Sequence, residues 1–234
     1  MVDVALTPDE ACEAELSIVI DVLRATSTIV QALDAGYRRA LCVSELDAAL
    51  ALAAPGRVLA GERLCVRPPG FELGNSPADV AEPRGEELVL TTTNGTRAIA
   101  RAAELSPVVL VAGLLNLDAV VAAAEGRDVQ VVCAGVCGRP ALEDLYVAGR
   151  IAARLDGPAS DTALVACSIA AAYPCAYDAL AASTAARMLA AVDMEADVER
   201  CARESVSVCV PHVEGLESGT TFIGILQTAL AKAS

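Results

Sequence analysis

The stretch Thr91-Thr92-Thr93-Asn94-Gly95-Thr96-Arg97 gathers the groups that hold an oxyanion. Four threonine hydroxyls and an asparagine amide offer hydrogen bonds, Gly95 lets backbone approach closely, and Arg97 adds positive charge. An apolar run, Leu88-Val89-Leu90, precedes it, and an alanine-rich helical pattern from Ala98 to Glu104 follows. The spacing predicts a strand, a turn and a helix start. Unpaired N–H groups and the helix dipole make such a start attractive to phosphate. The same residues also make an ordinary turn with Thr96 as helix cap. Local sequence leaves both readings open.

Three more polar clusters follow apolar runs. Asp21-Val22-Leu23-Arg24 comes after Leu16–Ile20, Gly61-Glu62-Arg63 after Val58–Ala60, and Gly135 to Asp144, ending in Glu143-Asp144, after Val129–Cys133. Taken singly, these are ion pairs, solvated loop charges or acids favouring a helix start. Taken together at the carboxyl ends of strands, where open α/β sheets bind ligands, they suit a divalent cation and a multiply charged anion. Carboxylates suit Mg²⁺, and arginines clamp phosphate or sulfonate through paired N–H bonds.

Composition narrows the partners. A net charge of −14 repels nucleic acid and anionic membranes, so neither is expected as a partner. An anionic ligand must then be held locally by arginine, since Lys232 is the sole lysine. The longest strongly apolar run, Val108–Leu115, is too short to span a bilayer, and the N-terminus lacks a secretory layout, so a cytoplasmic protein is expected. Nine scattered cysteines read as reduced apolar residues. A single histidine, His212, makes a Ser-His-Asp triad a poor reading.

The elements that position these clusters alternate. Runs at Leu16–Ile20, Ala40–Val43, Val58–Ala60, Leu88–Thr91, Val108–Val111 and Val129–Cys133 are apolar on both faces and predict buried strands. Helical patterns fall at Ser27–Ala35, Leu46–Ala53, Ala98–Glu104, Leu117–Ala124 and Asp144–Leu155. The expectation is one α/β domain over residues 1–234, a three-layer αβα type with a largely parallel or mixed central sheet. Residues 156–205 form a mostly helical excursion, broken near Tyr173-Pro174. A strand at Val206–Val210 and a closing helix at Phe222–Lys232 complete the expectation. The segment Glu62–Pro83 is a long loop of the kind that carries function.

The chain resembles the 2-phosphosulfolactate phosphatase family. The matching pieces are Ile20-Asp21-Val22-Leu23-Arg24-Ala25-Thr26-Ser27-Thr28, Gly61-Glu62-Arg63, Gly70-Phe71-Glu72-Leu73-Gly74-Asn75-Ser76-Pro77 and Thr91-Thr92-Thr93-Asn94-Gly95-Thr96-Arg97-Ala98, with a weaker block from Ala134 to Asp144. The resemblance implies a Mg²⁺-dependent homodimer that converts 2-phosphosulfolactate to sulfolactate and phosphate, a step toward coenzyme M. The loop Leu64-Cys65-Val66-Arg67-Pro68-Pro69 departs from the glycine- and lysine-bearing pattern associated with the family.

On that reading Asp21, Glu62 and Asp144 are expected to hold Mg²⁺, with Glu143 beside them. Arg24, Arg63 and Arg97 are expected to neutralise substrate oxygens. Asn75, Ser76, Thr92, Thr93, Asn94, Gly95 and Thr96 are expected to orient them. Two rivals remain. One is a non-catalytic binder of a phosphorylated metabolite. The other is a thiol phosphatase built on Cys133-x5-Arg139, a spacing that short-motif chance also supplies.

Overall fold

A computed structural model describes residues 1–226. The runs that are apolar on both faces become strands buried on both faces. They are β2 (Leu16–Ile20), β3 (Arg39–Val43), β4 (Arg57–Gly61), β5 (Glu87–Thr91), β6 (Val109–Ala112) and β7 (Val129–Cys133). A further short strand, β1 (Val2–Ala5), was not expected from sequence and lies parallel to β7. Helices α1 (Ala25–Ala35), α2 (Leu46–Ala51), α3 (Gly95–Leu105), α4 (Leu117–Ala124) and α5 (Leu142–Ala152) fill the intervals. Helix α1 stops where Gly36 takes φ 115° and returns its N–H to Ala32 and Leu33, a left-handed cap that only glycine adopts without strain.

The C-terminal third corrects two expectations. Val206–Val210 alternates like a strand, yet it runs as extended chain outside the ladders, with the Ser205 and Ser207 amides bonded to the Leu114 and Leu115 carbonyls. The strand begins later, as β8 (Pro211–Glu217), and β9 (Thr220–Ile225) follows it. Residues 222–225 are therefore strand and Leu226 non-helical, not the opening of a helix; residues 227–232 of that expected helix lie outside the described residues. Ser218 and Gly219, both at positive φ, join the two strands in the tight turn that matches strand twist.

These two strands decide the sheet. Its order is β1-β7-β2-β6-β8-β9-β3-β5-β4. The hairpin sits antiparallel between two parallel blocks, pairing with β6 on one side and β3 on the other. A bulge between Val213 and Gly215 bends β8. Three successive antiparallel pairings oppose the two blocks along the ladder, yet their carboxyl ends converge. The sheet must therefore twist and coil, and it does so around α3, which touches strands of both blocks and the hairpin.

Helices cover both faces, giving three layers. On the inner face, Ile29, Leu33, Ile99 and Ala102 of α1 and α3 pack with Val19, Cys42, Leu88, Leu90 and Val111. On the outer face, α4 and α5 share a core with Leu16, Ile18, Ile20 and Val131, while α2 packs on Leu41 and Val89.

The helical excursion joins that outer core. It comprises α6 (Asp161–Ala172), α7 (Ala176–Ala181), α8 (Thr184–Ala190) and α9 (Ala196–Cys201). Ser160 and Ser183 cap α6 and α8 by accepting from the Ala163 and Ala186 amides. Gly149 on α5 lies directly against the Ala166 carbonyl, where any side chain would collide, so these helices meet through small residues. No helix among the described residues is long and apolar enough to cross a membrane.

Candidate active site

The carboxyl ends of β2, β4 and β5 meet at the N-terminus of α3. Asp21 follows β2 and is buried. Its turn is fixed by local bonds: the Asp21 amide donates to the Thr26 hydroxyl at 3.1 Å, and the Ser27 hydroxyl donates to the Val22 carbonyl at 2.8 Å. The Asp21 carboxylate looks onto Gly95. A Cβ at Gly95 would stand 2.5 Å from Asp21 Oδ2 and 2.5 Å from the Ala25 Cβ, so only glycine admits this approach.

Glu62 follows β4 and pins two loops. Its Oε1 accepts from the Thr93 amide at 2.8 Å and the Thr93 hydroxyl at 3.0 Å, and its Oε2 accepts from the Cys65 amide at 2.9 Å. Burial pushes the Asp21 carboxyl up to about 7, and the Glu62 carboxylate adds to the shift.

They face a cleft of roughly 570 Å³, open mouth included, with Arg24, Asn75, Thr93 and Asn94 also on its wall. Asn75 is buried, and its Oδ1 has no hydrogen-bond partner among the described residues. Its backbone is fixed by the Thr28 hydroxyl, which donates to the Asn75 carbonyl at 2.9 Å. A buried amide left unpaired beside a cleft is polar capacity that a ligand or water can fill.

Other expected site residues do different work. Arg24 is buried, and its Nη1 donates to Asp197 Oδ2 at 2.7 Å while Nη2 donates to the Cys65 carbonyl at 3.1 Å. Arg63 turns away from the cleft and ties the Glu62 and Ser44 carbonyls and the Thr91 hydroxyl together. Ser76 donates to Asp197 Oδ1 at 2.6 Å. The Thr92 hydroxyl accepts from the Thr96 amide, and the Thr96 hydroxyl donates back to the Thr92 carbonyl, so Thr96 is not the cap of α3; Asn94 holds the N-cap position, and Thr92 satisfies a first-turn amide from outside the helix. Arg97 is exposed and stands off the cleft wall.

The acidic pair on α5 divides. Asp144 spends both oxygens on backbone amides, Oδ1 on Val22 and Oδ2 on Gly135, each at 3.0 Å. It thereby laces the end of β2 to the end of β7, and burial raises its pKa well above the usual carboxylate value. Glu143 is buried too, with its pKa raised first by burial. Its Oε2 is unpartnered among the described residues, and it lies on the wall of an adjoining chamber.

The thiol alternative fails on placement. Cys133 is fully buried in the outer core, and burial, reinforced by Asp144 and Glu143, drives its pKa well above 9.0. A nucleophile needs the thiolate and an exposed position; Cys133 has neither. Sequence reasoning passed over three residues at the site. Cys65 and Cys137 line the cleft, and Asp197 anchors Arg24 and Ser76 from the far helical segment.

A family model described as 2-phosphosulpholactate phosphatase matches residues 3–215. The chain belongs to this family. A probable 2-phosphosulfolactate phosphatase of Thermus thermophilus is 40% identical over 86% of this chain and 89% of its own length. One from Deinococcus radiodurans is 38% identical over 84% and 87%. The 2-phosphosulfolactate phosphatase of Methanothermobacter thermautotrophicus is 38% identical over 84% and 85%. The phosphatase family match thus covers both halves of the cleft, from Asp21 to Asp197. Among the described residues, no three His, Cys, Asp or Glu side chains converge as a ready metal site.

Proposed function

We propose that the protein hydrolyses 2-phosphosulfolactate to sulfolactate and inorganic phosphate, with Mg²⁺ held by Asp21 and Glu62. Family membership over residues 3–215 carries the reaction class. The cleft supports the metal assignment. The Glu62 carboxylate adds to the cost of ionising the buried Asp21 there, a repulsion that a divalent cation relieves. Mg²⁺ keeps several waters and often takes one or two carboxylates plus phosphate oxygens, so two acids suffice. Asp144 does not fit the role, because it is not on the cleft wall and serves to tie the Val22 and Gly135 amides together. When bound, the ion would supply charge neutralisation at the phosphoryl oxygens.

The chain's own groups do the rest. The phosphoryl group sits at the start of α3, where the Gly95 amide has no partner among the described residues and the helix dipole favours negative charge. Asn75 lines the same cleft. Arg24, fixed by Asp197, keeps its guanidinium on the cleft wall. Water attacks phosphorus opposite the bridging oxygen. The phosphorus–oxygen ester bond breaks as the new one forms, the attacking water gives up one proton, and the alkoxide of sulfolactate takes one up. Positioning and charge neutralisation are most of what phosphoryl transfer needs.

A cytoplasmic homodimer acting on the route toward coenzyme M is the setting we propose; the family resemblance and the charge of −14 support it. Purified protein with Mg²⁺ is expected to release phosphate from 2-phosphosulfolactate in step with sulfolactate. Absence of release from this ester and from phospholactate and phosphoglycolate would defeat the proposal.

A further inference from the structure

The chain covers the outer edges of its sheet. At β1 the Val2 amide donates to the Pro158 carbonyl at 2.8 Å, and the Val2 carbonyl accepts from the Ser160 amide at 2.9 Å. At β4 the Leu73 amide donates to the Leu59 carbonyl at 3.1 Å, and the Gly61 amide donates to the Leu73 carbonyl at 3.3 Å. Covered edges keep a sheet from pairing with other chains.

The extended segment before β8 is left open. Its burial alternates: Ser207 and Cys209 are buried, whereas Val206 is 51% exposed and Val208 is 90% exposed. Its hydrogen bonds alternate in step. The Ser207 amide donates to the Leu115 carbonyl at 2.9 Å, and the Cys209 carbonyl accepts from the Asn116 side chain at 3.0 Å. Successive residues of an extended chain direct their N–H and C=O groups to opposite edges. Those of Val206 and Val208 therefore point away from the body of the protein, and they have no partner among the described residues. An open edge carrying outward valines is a template for strand addition.

We propose that residues 206–208 are the contact through which two copies of this chain associate, each segment pairing antiparallel with the other. Sequence and charge favour a second copy over another partner. Val206-Ser207-Val208 reads the same in both directions. A twofold axis at Ser207 thus sets Val206 opposite the second copy's Val208, and each such pair exchanges both its backbone hydrogen bonds. The branched side chains meet on one face, which adds to the pairing. No charged side chain lies between Glu204 and His212, and Arg150 holds Glu204 at 2.7 Å. Copies that each carry −14 can meet here without opposing like charges. The inference gives a surface to the homodimer proposed above and does not depend on the hydrolysis.

The test is sedimentation velocity of the full chain over a concentration series, with amide hydrogen exchange read at the same concentrations. The variants are Val208→Pro and Val208→Thr. Proline removes the outward N–H, suits extended backbone and leaves the inward Ser207 bond in place. Threonine keeps the N–H and a branched side chain. Each is checked for an unchanged melting temperature where the wild type is monomeric. Wild type is expected to dimerise, with the Val206 and Val208 amides protected in the dimer alone. Val208→Pro is expected to weaken the dimer by about 10- to 100-fold, the worth of one hydrogen bond lost from each copy, and Val208→Thr to retain it. A Val208→Pro dimer as tight as wild type would overturn this surface while leaving a homodimer standing. A wild type that stays monomeric would defeat both, and protection of these amides in the monomer would show the edge already covered and overturn the proposal. Phosphate release from the same samples tests the hydrolysis separately and is expected to persist in Val208→Pro, since Val208 is not on the cleft wall.

Discussion

Replacing Asp197 by alanine tests the link between the helical excursion and the cleft. Asp197 and Arg24 form an ion pair at 2.7 Å with side-chain exposures of 7% and 2%. The second Asp197 oxygen takes the Ser76 hydroxyl at 2.6 Å. Alanine leaves a guanidinium buried without its counter-charge and a buried hydroxyl without its acceptor. Breaking such a pair from one side costs about 3–5 kcal/mol, because the stranded charge keeps its desolvation penalty. In a chain of this size each kcal/mol moves the melting temperature by roughly 2–4 °C, so a fall of about 6–20 °C is expected. Urea unfolding at neutral pH reads the free energy directly. Arg101→Ala, which breaks the exposed Arg101–Glu104 pair at 3.1 Å, serves as the contrast and should cost no more than about 0.5 kcal/mol. A loss below about 1 kcal/mol for Asp197→Ala would refute the claim that this pair is buried and uncompensated.

Three further outcomes follow from the site. Gly95→Ala puts a methyl group 2.5 Å from Asp21 Oδ2, and kcat/KM is expected to fall about 100-fold or more, as displacement of a reacting group does; near-normal efficiency would contradict the close approach. The folded pKa of Asp21 is about 7 against an ordinary 3.8, so without metal the wild type loses stability as pH rises between those values. Asp21→Asn in chelator should therefore raise the melting temperature at pH 8 and change little below pH 4; a lower melting temperature at pH 8 would count against the shift. Cys133→Ala should keep most of the turnover, whereas iodoacetamide should inhibit both proteins by filling the cleft at Cys65 or Cys137. Loss of turnover in Cys133→Ala without loss of fold would revive the thiol mechanism.

The sheet was legible wherever apolar runs were long enough to be buried on both sides, as in β2 and β7. It was not legible at β1, whose four residues carry too little pattern, nor in the hairpin. There Val206–Val210 has strand chemistry but is held by its Ser207 amide to the Leu115 carbonyl in the loop after β6, leaving Val208 exposed. The Ser218-Gly219 turn was a readable hairpin signal that the apolar run from Phe222 obscured. At the site, strand ends located Asp21, Glu62 and Thr93 on one cleft, and the family resemblance added Asn75. Side-chain direction was beyond the sequence. Arg63, Ser76 and Asp144 stand in the right loops, yet their polar atoms are claimed by neighbouring backbone or by Asp197. Asp197 itself had no local signal, because its partner Arg24 lies 173 residues away.

The most direct measurement is phosphate release from 2-phosphosulfolactate by wild type and Asp21→Asn, each with Mg²⁺ and with EDTA. The expected result is turnover by wild type with Mg²⁺ alone, abolished by chelator, restored by added Mg²⁺, and absent in the variant although it remains folded. Undiminished release in EDTA, or from Asp21→Asn, would contradict a phosphatase built on Asp21 and a metal.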